Sequence, residues 1–223
     1  MLAQFVLFDG FDPLDVIAPF EVFSAASAYT DQVSAELVAA EGPREVRSGI
    51  PAISLAATAG LDPERADLVV VPGAAGRTLP QGQDDLTDEE REATVPAILG
   101  RTLTTGLPAL LGKAMAAPGT TMGAVCGGPL ILSMAGLIDG RNATAHHQGL
   151  DVLGAGGVNA IRARVVDDGD LVTAGGVTSG LDLGLYLLER VVGPKVALAV
   201  ERLFEYERRG VVWRDLEPTP KSA

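Results

Sequence analysis

The chain has 223 residues, 47% hydrophobic and 21% charged, which is enough apolar material for one substantial core beneath a polar surface. Its formal net charge of -12 argues against a nucleic-acid partner, because phosphate contacts need clustered lysine and arginine. A single cysteine, Cys126, excludes an intramolecular disulfide and with it a disulfide-stapled scaffold.

Residues 3–8, AQFVLF, read as a buried strand ended by Asp9-Gly10. The N-terminus lacks the basic start and small-residue cleavage site of a signal peptide, which predicts a cytoplasmic protein. From Leu14 to Ala26 the spacing of Leu14, Ile17, Phe20, Val22 and Phe23 predicts a helix, with Pro19 near its first turn. Residues 33–40 alternate as a strand, and Glu45 to Thr58 suits a hairpin or small strands. Asp67 to Pro72 is a β-branched run, followed by a loop at Gly73-Ala74-Ala75-Gly76.

The denser acidic patch from Asp84 to Glu92 reads as a solvated helix face. Residues 87–117 carry one or two helices, broken near Gly106 to Pro108. The segment Leu103 to Pro118 is apolar and suits an interface, a cover over the site, or a second surface helix. The apolar stretch Thr120 to Ile138 approaches membrane-spanning length, but Cys126, Gly127, Gly128 and Pro129 sit at its centre. It therefore reads as a strand, Thr121 to Val125, and a helix, Pro129 to Leu137, with no membrane partner.

Arg162 to Val166 and Leu171 to Ala174 predict two strands joined by a turn at 167–170. Leu181 to Arg209 is helical, broken at Gly193-Pro194, and Val211 to Ala223 is a polar tail that suits a loose extension or an interface arm. Alternating strands and helices predict an α/β fold with a mostly parallel sheet covered on both faces. The expected organisation is one α/β domain over 1–209 and a C-terminal extension over 210–223.

The chemistry centres on TTMGAVCGGPLILSMAG, where a β run enters Cys126 and an apolar helix leaves it. Gly127 and Gly128 tolerate the tight turn of a nucleophile elbow. A helix N-terminus behind Cys126 would favour the thiolate, and the Gly127 N–H would face an oxyanion. The bland alternative is a cysteine buried as a small hydrophobe.

VCGGP, with VVVPGAAG upstream and Leu14-Asp15 in the first strand–helix turn, resembles the ThiJ/PfpI superfamily over residues 2 to 209. The resemblance implies a flavodoxin-like three-layer sandwich of the class I glutamine-amidotransferase type. Within it, GRNATAHH and TAGGVTSGLDLGL are most similar to the isonitrile hydratase branch, and also to the amidase-like sensor domain of certain transcriptional activators. By position the resemblance makes Cys126 the nucleophile and Asp15 the acid against its sulfur. A carboxyl held out of water there stays protonated and can donate a proton. Without the resemblance, Asp15 is explained as a helix N-terminal residue. The backbone of Gly73 and Ala74 would join Gly127 in an oxyanion hole. Ala74 replaces the glycine usual at its position.

His146 falls where relatives place a histidine near the cysteine, able to orient substrate or move a proton, or simply satisfied by backbone. His147 reads as structural or exposed. Thr178 and Ser179 are brought near the site by the resemblance, although Ser179-Gly180-Leu181-Asp182 reads equally as a capping box. Gly127 departs from the histidine of the peptidase branch and from the threonine common in isonitrile hydratases. A glutaminase would need a C-terminal His-x-Glu pair, which neither histidine supplies.

The leading expectation is a hydro-lyase converting an isonitrile to an N-substituted formamide through a Cys126 thioimidate, with a small-molecule substrate, no cofactor and no metal. The alternatives are a cofactor-free glyoxalase or deglycase acting on aldehydes, and a non-enzymatic redox or ligand sensor. The resemblance also implies a homodimer.

Overall fold

The computed structural model describes residues 1–77 and 86–215 of the chain. Its first strand, β1 (Leu2–Leu7), is buried almost throughout, as an apolar run inside a parallel sheet requires. The one polar side chain in it, Gln4, is fully buried and satisfied. Its Oε1 accepts from the Asp62 N–H at 2.9 Å and its Nε2 donates to Glu36 at 3.3 Å.

Helix α1 (Pro13–Ala26) is capped by Asp12, whose carboxylate accepts from the Leu14 N–H at 2.9 Å. Pro19 lies well inside the helix rather than near its first turn, and Leu14 is exposed whereas Asp15 is fully buried. The expected stripe is displaced because α1 is covered by a C-terminal helix as well as by the sheet, so Ala18, Pro19 and Ala26 join the buried face. Strand β2 (Ser34–Ala39) is followed by the antiparallel hairpin β3 (Arg44–Arg47) and β4 (Ser54–Ala57), then the short β5 (Ala59–Gly60). All four residues of β6 (Leu68–Val71) are buried.

Three helices, not one or two, occupy the next stretch: α2 (Asp88–Glu92), α3 (Val95–Thr102) and α4 (Leu107–Ala116). Thr87 and Glu90 form a reciprocal capping box at α2, and Thr94 caps α3, so each hydroxyl starts a new helix. The acidic face of α2 is solvent-facing, and Asp84 and Asp85 lie outside the described residues. Helix α4 turns Leu107, Leu111 and Ala114 inward, as a surface helix does.

Strand β7 (Thr121–Val125) leads through Cys126 into α5 (Gly128–Met134), which divides the long apolar stretch. Among the described residues no helix is long and apolar enough to cross a membrane. The sequence reading did not anticipate the next pieces, β8 (Asn142–Ala143), a 3-10 turn at His147–Gly149, α6 (Leu150–Ala155) and β9 (Asn159–Ala160). Strands β10 (Val165–Asp168) and β11 (Leu171–Ala174) pair antiparallel across the Gly169 turn. Helices α7 (Ser179–Val192) and α8 (Pro194–Leu203) break at Gly193, and α8 ends at Leu203 rather than Arg209. The start of the polar tail adds β12 (Trp213–Arg214) to the sheet edge beside β10, while residues 216–223 lie outside the described residues.

Among the described residues the main sheet has eight strands, in the order β12-β10-β11-β7-β6-β1-β2-β5. Every pairing is parallel except β10 with β11. From β1 the chain crosses through α1 to β2 on one side. From β6 it crosses through α2 to α4 to β7 on the other. Right-handed crossovers in opposite directions put α1 and α4 on opposite faces. Helices α7 and α8 pack with α1, and α3 and α6 pack with α5, which gives the three-layer sandwich. The reversal of direction lies between β1 and β6. Loops at the carboxyl ends of such strands form the ligand crevice in open α/β sheets.

Candidate active site

Three loops at that edge bring the site together: residues 8–12 after β1, 72–76 after β6 and 126–127 after β7. Cys126 has φ +59°, a left-handed conformation that a non-glycine residue holds only where its surroundings impose it. Its N–H is shared between the Ala174 and Gly175 carbonyls, each at 3.0 Å, and its carbonyl accepts from the His146 N–H at 2.9 Å. The next turn is as tightly fixed. A Cβ at Gly128 would lie 2.2 Å from the Val71 carbonyl oxygen, and one at Gly73 would lie 2.5 Å from the Gly127 nitrogen. Only glycines allow the β6 and β7 loops to close on each other.

Asp15 enters this junction from the first turn of α1, fully buried. Its Oδ2 accepts from the Gly73 N–H at 3.0 Å. Its Oδ1 is buried with no hydrogen-bond partner among the described residues, although the Cys126 thiol lies beside the carboxyl. Gly73 therefore contributes otherwise than the sequence suggested: its N–H orients Asp15 and is not free for an oxyanion. The Ala74 and Gly127 N–H groups have no acceptor among the described residues and remain available.

Burial holds the Asp15 carboxyl well above its ordinary value of 3.8, helped by the negative charge of Asp12 and opposed by the Gly73 N–H and the thiol. Burial also pushes the Cys126 thiol up, and an ionised Asp15 would push it further. Sequence reasoning had the helix N-terminus lowering the thiol, but desolvation outweighs it. The group that favours the thiolate is the Val177 N–H. Both shifts run toward the uncharged forms, a thiol beside a carboxylic acid, which is the direction a dry pocket favours.

His146 is half-buried, and its imidazole is not among the groups acting on Cys126 or Asp15. Its backbone pins the elbow. Its ring faces an open cleft of about 550 Å³, lined also by Arg162, Arg164, Val177 and Thr178. Burial, and then His147, lower its pKa. His147 is exposed. The Thr178 hydroxyl accepts from Arg164 at 3.2 Å, within the cleft but not at the sulfur. The expected capping box at α7 does not form. Thr178 is the N-cap without a side-chain bond, the Ser179 hydroxyl donates to the Gly176 carbonyl, and Asp182 is engaged by Arg164. Among the described residues no group of three His, Cys, Asp or Glu side chains is placed to hold a metal.

A sequence model of the DJ-1/PfpI family matches residues 105–190, a span that holds the elbow, His146 and the start of α7. Over that span the chain matches the DJ-1/PfpI family. Its fold matches the crystal structure of a ThiJ/PfpI family protein from Pseudomonas syringae with a TM-score of 0.74 at 23% identity, covering 100% of this chain and 78% of that one. The chain is 39% identical over 94 residues to isonitrile hydratase from Pseudomonas putida, which is 42% of this chain and 41% of that protein. It is 33% identical over 88 residues to the HTH-type transcriptional regulator CdhR from Pseudomonas aeruginosa, 39% of this chain and 26% of that protein. The chain thus spans less than half the length of these curated relatives.

Within this DJ-1/PfpI framework the sequence reading missed three residues. Val177 acts through its backbone N–H, for which no side-chain signal exists. Asp12 is both the α1 cap and a charge acting on Asp15 and Cys126, and the Asp-Pro helix start was its signal. Leu99 of α3 covers Gly127: a Cβ there would lie 3.2 Å from Leu99 Cδ1 and 3.3 Å from Gly73 Cα. Nothing in its local sequence marks it.

Proposed function

We propose that this chain is a cofactor-free lyase of the isonitrile-hydratase type, working through Cys126 and Asp15. One observation carries the reading: a buried carboxyl, its pKa raised by burial, with an oxygen that has no hydrogen-bond partner among the described residues, beside the only thiol of the chain. Such a pair moves one proton without separating charge, as α-addition to an isonitrile requires. The likeness to isonitrile hydratase from Pseudomonas putida supports the substrate class.

The thiol proton passes through Asp15 to the terminal carbon of R–N≡C while Sγ bonds to that carbon, giving the thioimidate R–N=CH–S–Cys126. Water then adds to the carbon, the C–S bond breaks, and a proton returns to sulfur through Asp15, leaving R–NH–CHO. The N–H groups of Ala74 and Gly127 are the donors for charge developing on the way. No electrons are gained or lost.

The test is formamide formation from an aromatic isonitrile by the purified protein, with Cys126→Ala and Asp15→Asn in parallel. Turnover by the wild type, with both variants down by about 10²-fold or more, supports the reading. An inactive wild type overturns it.

Likeness to a transcriptional regulator favours a second reading, a regulatory module. A redox sensor fits less well, since oxidation proceeds through the thiolate and burial keeps Cys126 protonated.

A further inference from the structure

The cleft beside the elbow differs from the rest of the molecule in charge. The chain carries 29 acidic and 17 basic residues, yet among the described residues no aspartate or glutamate lines this cleft, and Arg162 and Arg164 do. Arg164 is already neutralised: its Nε lies 2.5 Å from Asp182, which is buried and also accepts from the Tyr206 hydroxyl at 2.8 Å and the Arg209 N–H at 2.7 Å. Arg162 is exposed and forms no ion pair or side-chain hydrogen bond with any described residue. The cleft therefore presents one uncompensated guanidinium.

A neutral donor stands with it. His146 Nδ1 accepts from the Gln148 N–H at 3.3 Å, which assigns the ring proton to Nε2. The ring lies against Gly176, where an added Cβ would come within 2.5 Å of Cδ2, so its direction is fixed. Gly175 joins the cleft to the elbow, since it lines the cleft and its carbonyl accepts from the Cys126 N–H at 3.0 Å.

We propose that this cleft binds a single carboxylate of the substrate, held by Arg162 and the His146 Nε2–H, so that the reacting carbon is presented to Cys126. One unpaired guanidinium matches one negative charge, and a fork of N–H donors matches two carboxylate oxygens. A dianionic phosphate would leave a charge without a partner. The proposal rests on reading Cys126 as the nucleophile and narrows that substrate to one bearing an acid group.

Iodoacetate and iodoacetamide test it, because both form the same Sγ–C bond with loss of iodide and differ in the carboxylate. With Cys126 the only thiol, intact mass follows labelling of wild type, Arg162→Gln and Arg162→Lys. Arg162→Gln is expected to slow iodoacetate about fivefold and leave iodoacetamide unchanged, while Arg162→Lys keeps most of the preference. Acetate is expected to protect against iodoacetate better than inorganic phosphate does. The proposal fails if Arg162→Gln slows both reagents equally, or if phosphate protects as well as acetate. It also fails if neither reagent reaches Cys126, because the cleft then does not lead to the sulfur. Absence of isonitrile turnover removes the hydratase chemistry but leaves this labelling ratio intact, so the two failures are distinguishable.

Discussion

Gly73 donates its N–H to one oxygen of Asp15 at 3.0 Å, and the other oxygen is buried with no hydrogen-bond partner among the described residues, while the Cys126 thiol lies beside the carboxyl. The bond fixes the carboxyl plane, and the missing partner marks where a proton is available.

The raised Asp15 pKa gives a signed prediction for stability. A carboxyl easier to protonate folded than unfolded stabilises the fold fully below its ordinary value of 3.8, and this contribution is lost as pH rises from there through the folded value. Asp15→Asn keeps the acceptor for Gly73 and never ionises. The variant should match or exceed wild-type stability at pH 7 while losing turnover by about 10²-fold. Chemical denaturation at pH 4 and pH 7, with the isonitrile assay, reads both.

Asp15 also pushes the Cys126 thiol upward, second to burial. Iodoacetamide labelling against pH should place the wild-type midpoint above the ordinary thiol value of 9.0. Asp15→Asn should move the profile to lower pH, since it removes the nearer charge and leaves desolvation and the charge of Asp12. An unchanged profile would mean that the two groups are not in contact.

Gly127→Thr supplies the residue common in isonitrile hydratases, but its Cβ meets Leu99 and Gly73. The single substitution should destabilise by about 1–3 kcal/mol through overpacking. Leu99→Ala in the same chain should recover part of that loss, giving a non-additive double-mutant cycle in urea.

The loop carrying His146 hangs on a buried hydroxyl, because Thr173 Oγ1 accepts from the Thr144 N–H at 2.8 Å. Thr173→Val keeps the shape and leaves that N–H unsatisfied, at a cost of about 1–3 kcal/mol. Amide exchange at Thr144 to His146 should accelerate, with exchange in β1 unchanged.

Much of this molecule is local, and local features are readable. The runs FVLF and LVVV, the hairpin between Arg44 and Ala57 and the Gly193-Pro194 break each follow from a few adjacent side chains. The sequence of strand, Cys126, Gly127, Gly128 and Pro129 likewise announces an elbow. The displaced face of α1, the three helices in place of one or two and the added β12 are less readable, because each depends on what packs against the segment.

The sequence by itself thus determined the layers and the elbow, while its residues alone left Asp15 as a helix N-terminal residue and only the resemblance set that acid against Cys126. Tertiary structure decided the direction in which both groups shift, since burial is a property of the assembled core and outweighs the helix N-terminus behind Cys126. It also decided that Gly73 orients Asp15, that Leu99 fills the space over Gly127, and that Arg162 stands uncompensated while Arg164 is paired. These are distances between residues far apart in the chain, which no local pattern encodes.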